Sequence, residues 1–310
     1  MTTATPLDER VDGEAAAEAE GTPGRWSRVT RLTGRIRIGP VLPARLRPPG
    51  RPMPWVEIAL VGICYYFYRQ VQDAATSGRV APFHRGFSIL RLEHTLHFDV
   101  EHWLNHKADK VGWLMSGMNY YYATLHFIVP IAVLVWVCWK FPERYRAVRT
   151  VIFATTALAL IGFYFYALCP PRLLIPAGHP GAFIDTFCTH HTWGKTSCDG
   201  VGGLDGTLAN QYAAMPSLHI GWAVWCAVTI AQLAERTWVK VLGILYPFAT
   251  LMVILCTANH YVLDAVFGLV TLAGGFLVQR ILLGRPVFGK LPTAAAKPGA
   301  IPRQPDYAEA

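Results

Sequence analysis

Apolar residues in this chain fall into six long runs, at 54–71, 112–139, 148–168, 215–233, 239–257 and 259–283. A helix needs roughly 20 residues to cross about 30 Å of hydrocarbon. The pattern therefore predicts an all-α, polytopic membrane protein with six transmembrane helices. The first run is short and carries Glu57 near its start. Pro130, Pro247 and the glycines inside other runs are compatible with crossing, because neighbouring helices can satisfy the freed backbone groups. Between the first two runs, Ile89, Leu92, Leu96, Val100 and Trp103 recur three or four residues apart, with Glu93, Asp99, Glu101 and His102 between them. That spacing predicts an amphipathic helix lying along the interface.

Residues 1–53 hold no apolar run and so are not expected to be a cleaved signal peptide. They begin rich in Ala and Glu and turn rich in Arg and Pro from Arg25 onward, which predicts a disordered basic tail. A second disordered tail is expected at 284–310, leaving 54–283 as the membrane catalytic domain. Charged residues make up only 15% of the chain against 53% hydrophobic, and the mean hydropathy is +0.29, which excludes an ordinary soluble domain. With the N-terminus inside, 20 of the 28 lysines and arginines fall on inner segments. The positive-inside rule then predicts a plasma-membrane protein with both termini cytoplasmic. The net charge of +8 reads as attraction to anionic lipid at the cytoplasmic face. No aromatic-basic interleaving suggests a nucleic-acid partner.

Two strings stand at the ends of apolar runs: Met215-Pro216-Ser217-Leu218-His219 and His260-Tyr261-Val262-Leu263-Asp264. Ionisable side chains at a membrane edge are costly, so they mark a reaction centre. The i, i+4 spacing of His260 and Asp264 on a helix lets the carboxylate hold one imidazole nitrogen and leave the other free. Pro216 and Ser217 read as the opening turn of a helix, with Pro at its first position, whose N–H groups suit an anion. Arg172, in Pro170-Pro171-Arg172, follows the third run on the same outer side and can clamp phosphate oxygens. A nucleophile with its orienter, an acid (His219) and oxygen ligands (Arg172, Ser217) make a set for phosphoryl transfer through histidine.

These strings resemble the three motifs of the type 2 phosphatidic acid phosphatase superfamily. Ala213-Ala214-Met215-Pro216-Ser217-Leu218-His219, Pro170-Pro171-Arg172-Leu173 and Ala258-Asn259-His260-Tyr261-Val262-Leu263-Asp264 are most similar to the branch containing fungal inositol phosphorylceramide synthase and its actinobacterial relatives. The resemblance implies His260 as nucleophile, His219 as general acid, Asp264 as orienter, Arg172 as phosphate ligand, and neither a metal nor another cofactor. It implies a lipid phosphotransferase or phosphatase with a phosphohistidine intermediate, acting on a membrane lipid at an extracytoplasmic site. Phe165 and Val253-Ile254 stand where the phosphatase pattern carries basic residues, and Leu218 replaces a Gly. Fewer cations suit a phosphodiester better than a dianionic monoester.

Asn119, Tyr122 and His126 share one face of the second run and are candidates for binding a headgroup or acceptor. Cys188 and Cys198 share the outer loop 169–211, where a disulfide is permitted and expected. Two rival classes are weaker. His102-x-x-x-His106 and the His190-His191 doublet resemble parts of membrane di-iron hydroxylases, but Phe187 and Cys188 stand where a further ligand is needed. A non-enzymatic lipid carrier would be expected to show inverted repeats, and none is visible.

Overall fold

The computed structural model describes residues 41, 43, 53–75, 80–175, 179–190 and 212–288. Both expected tails lie almost wholly outside these residues. The described residues fold into helices: α1 Pro54–Ala75, α2 Val80–Leu96, α3 Glu101–Asp109, α4 Gly112–Lys140, α5 Pro142–Phe165, α6 Pro171–Leu174, α7 Thr186–Thr189, α8 Leu218–Leu233, α9 Thr237–Cys256 and α10 Val262–Leu283. The one β-type contact among them is an isolated parallel bridge between Leu168 and Ala213.

Four helices, α4, α5, α9 and α10, are long and apolar enough to cross a membrane. Helix α8 is apolar but only 16 residues long, about 24 Å at 1.5 Å per residue. It is shorter than the run 215–233 because Ser217 is its N-cap, accepting the Ile220 N–H at 3.5 Å. Pro216 consequently lies outside the helix and not at its first position. Helix α5 starts six residues before its apolar run, at Pro142 in the first turn, where a missing N–H costs nothing. Glu57 of α1 is accounted for as well: it forms an ion pair with Arg149 and accepts the Tyr145 hydroxyl at 3.0 Å.

The expected single interfacial helix is instead two, α2 and α3, broken at 97–100, where His97 adopts a left-handed φ of 62°. Of its apolar positions Ile89 is buried, as expected, whereas Leu92, Leu96, Val100 and Trp103 point outward and Glu93 and Glu101 are wholly buried. From Leu92 onward the sense of the pattern is inverted.

The main core joins α4, α5, α8 and α10 around Val148, Val151, Trp225 and Leu272, with the Trp225 indole donating to the Val148 carbonyl at 3.2 Å. Small residues set the closest crossings, as is usual between membrane helices. A Cβ on Gly275 would stand 2.9 Å from the Val151 carbonyl oxygen, and one on Gly268 only 2.4 Å from that of Ser217. Gly268 therefore lets α10 approach the start of α8. Gly268→Ala is expected to destabilise the protein by about 1–3 kcal/mol, the usual range for overpacking. Thermal unfolding in detergent checks this, and an unchanged midpoint would mean that the contact is not tight.

Candidate active site

Helix α10 begins at Val262 because Asp264 turns back on its own N-terminus: Asp264 Oδ2 accepts the Tyr261 N–H at 3.0 Å. His260 thus precedes the helix and does not share a helical face with Asp264, contrary to the sequence expectation. The pair still meets, with His260 Nδ1 3.2 Å from Asp264 Oδ2. Nδ1 also lies 2.9 Å from the Ala214 carbonyl oxygen. Both neighbours are acceptors, so the proton sits on Nδ1 and the lone pair on Nε2. His260 is buried, and Asp264 has no exposed surface.

His219, in the first turn of α8, places Nδ1 3.2 Å from His260 Nε2. Its own Nε2 is buried with no hydrogen-bond partner. The ring is stacked on Tyr122, with centroids 4.3 Å apart, and lies 4.2 Å from the His126 ring. His126 Nδ1 donates to the Tyr122 carbonyl at 2.7 Å, which fixes its tautomer as well. The two histidine strings are tied through their backbones too, since Ser217 N donates to the Asp264 carbonyl at 3.0 Å.

Arg172, in α6, reaches this centre through Asn259. Its Nε donates to Asn259 Oδ1 at 2.9 Å, and its backbone N–H donates to the Ala258 carbonyl at 2.9 Å. One terminal nitrogen donates to Asp185 Oδ2 at 3.0 Å, and the guanidinium lies 5.4 Å above the Phe187 ring. Asn259 is held in turn by the Thr257 hydroxyl at 2.8 Å. Asp185, Asn259 and the Ala214 carbonyl were not singled out in the sequence. Asn259 could have been, as the neighbour of His260. Asp185 could not, because nothing local links it to Arg172.

Asn119 is buried. Its amide donates to the carbonyls of Thr186 (2.8 Å) and His190 (3.1 Å), and its oxygen accepts from the Thr186 hydroxyl (2.9 Å). It secures α7, and with it Asp185, against α4. Cys188 is half-buried in α7, while Cys198 lies outside the described residues and the expected disulfide with it. The His102 and His106 rings lie 4.1 Å apart and tilted, and His190 Nε2 contacts Asp109 at 2.8 Å. His191 lies outside the described residues.

Apolar helices long enough to cross a membrane, with His219, His260 and Asp264 gathered at the starts of α8 and α10, describe a helical membrane protein. The chain belongs to the PAP2 superfamily, whose family model matches residues 88–278. That span contains all three motifs. No curated protein and no solved structure matches the chain.

Proposed function

We propose that this protein is an integral-membrane lipid phosphotransferase that moves a headgroup phosphate, of the inositol phosphate kind, from a phospholipid to a lipid or alcohol acceptor through a phosphohistidine on His260. The observation that carries this reading is the orientation of His260, whose Nδ1 is held by Ala214 and Asp264 while Nε2 faces His219. Nε2 attacks phosphorus, the ester P–O bond breaks, and the leaving oxygen takes a proton from His219. Asp264 stabilises the cationic ring so formed. An acceptor hydroxyl then returns its proton to His219, attacks the phosphorus and releases His260. With water as acceptor the same steps amount to simple phosphatase activity.

In the resting geometry His219 stands against Nε2, so a bound phosphoryl group must displace that imidazole. Arg172, Ser217 and the first-turn N–H groups of α8 would hold the phosphoryl oxygens. Tyr122 and His126 pack on the acid, where an acceptor would meet it. Arg172 already shares its charge with Asp185, and Phe165 and Val253-Ile254 bring no cation. So little positive charge favours a monoanionic diester over a dianionic monoester.

The test is to incubate purified protein with labelled phosphatidylinositol or phosphatidic acid, with and without an alcohol acceptor. From phosphatidylinositol the expected product is a labelled phosphodiester of the acceptor, formed equally well in excess EDTA. Inositol phosphate from phosphatidylinositol, or inorganic phosphate from phosphatidic acid, as the only product would make water the acceptor and the protein a hydrolase. Loss on chelation, restored by one added divalent ion, would reject the metal-free mechanism.

For topology we propose six crossings, formed by α1, α4, α5, α8, α9 and α10, with both termini cytoplasmic and the site at the outer leaflet of the plasma membrane. The charge distribution supports this, as does the position of His219, His260 and Arg172 at helix ends. Helix α8 separates His179 from Arg236, and both are exposed. In intact cells a cysteine at His179 is expected to react with an impermeant maleimide and one at Arg236 is not. The reverse pattern would turn the protein over.

A further inference from the structure

Three carboxyl groups converge on the first turn of α10, and only Asp264 belongs to the motifs. The other two come from α2 and α3. Glu101 Oε1 accepts the Val262 N–H at 2.7 Å, and Glu93 Oε1 accepts the Leu263 N–H at 2.7 Å. With Tyr261 N–H on Asp264, three successive N–H groups beside His260 are each held by a different carboxyl. The break at 97–100 makes this possible by folding the end of α2 and the start of α3 onto the same side.

Neither Glu93 nor Glu101 has any exposed surface, and Oε2 of each is buried with no donor. The two carboxyls lie within hydrogen-bonding reach of each other. Two adjacent ionised carboxylates without a cation are strongly disfavoured. A proton held by the pair supplies a donor where the orphaned oxygens have none. The single remaining negative charge then faces the positive end of the α10 dipole.

We propose that Glu93 and Glu101 form a proton-sharing carboxyl pair that clamps the first turn of α10 and so positions Asp264 against the nucleophile His260. They are positioning residues, since they touch neither His260 nor the site of phosphoryl transfer. The catalytic part of this inference rests on the phosphohistidine reading. The shared proton does not.

Burial, reinforced by the charge of Glu101, raises the Glu93 carboxyl to about 9. Burial also raises that of Glu101. The titratable groups facing Glu93 are Glu101 on α3 and Asp264 on α10, with the Tyr261 phenol at the N-cap of α10. The folded protein therefore keeps a proton that the unfolded chain releases above its ordinary value of 4.5. Stability contributed by that proton is full at low pH and is lost as pH rises toward 9.

The experiment compares Glu93→Gln and Glu93→Ala with the wild type. Glutamine can accept the Leu263 N–H and donate its amide to Glu101, replacing the shared proton without titrating. Glu93→Gln is expected to keep kcat within about twofold, while Glu93→Ala lowers kcat by at least about tenfold with KM little changed. Thermal midpoints in detergent between pH 5 and 9, which need no substrate, should fall more steeply with pH for wild type than for Glu93→Gln. If Glu93→Ala does not fold, the comparison of glutamine with wild type decides alone. A glutamine variant as impaired as alanine, or one whose stability follows the wild-type pH curve, overturns the proposal. A flattened curve in a protein that turns over no lipid phosphate would keep the shared proton and reject the catalytic reading instead.

Discussion

His260→Ala is expected to abolish turnover, with a loss of at least about a hundredfold and of the order seen on removing a nucleophile. Nothing beside it can substitute. His219 Nδ1 points at His260, and His219 lacks the carboxylate that would stabilise a phosphorylated ring. His219→Ala should also lose about a hundredfold, but with a different signature. A substrate whose leaving group needs no proton, such as a nitrophenyl phosphodiester, should regain much of the lost rate in His219→Ala and none in His260→Ala. Single-turnover release of the leaving group by the two variants from both substrates checks this, because His219 is also the base of the second half-reaction. Equal rescue of both would mean that the roles of nucleophile and acid are wrongly divided.

Arg172→Lys is the second large effect expected, a loss of roughly 10²–10³ in kcat/KM, as for removal of a preorganised donor to transition-state charge. The substitution keeps the charge and loses the geometry. The guanidinium bonds Asn259 and Asp185 through two different nitrogens while lying over Phe187. A lysine ammonium is a point charge that cannot span those partners. Near-normal activity in Arg172→Lys would show that only the charge matters there. Asp185→Asn should be milder, because the amide oxygen still accepts from Arg172.

The apolar runs made the long helices legible, since crossing length is written directly into composition. Their ends were less so. Ser217 and Asp264 terminate α8 and α10 by capping, so Pro216 and His260 fall outside helices that hydropathy alone would extend through them. The His260–Asp264 pairing was nevertheless readable, because a turn across a helix N-terminus also brings i and i+4 together.

Glu93 and Glu101 were misread as the wet side of an interfacial helix. A moment gives the period of a pattern but not its sense, and beside lipid the outward face is the apolar one. Arg172 was legible from its motif, but its partners Asp185 and Asn259 were not, for contacts 13 and 87 residues away leave no periodic trace. Tyr122 and His126 were found as a face of α4. Their stacking on His219 required the fold.

The most direct test of the mechanism is rapid denaturation of the protein during turnover of phospholipid labelled at phosphorus, followed by mapping of the label. The expected result is a label stable to alkali and labile to acid, carried on the peptide containing His260, absent from His260→Ala, and discharged when an acceptor alcohol is added before denaturation. Label on a serine or carboxylate, or turnover with no protein-bound phosphorus in either wild type or His219→Ala, would contradict a phosphohistidine on His260.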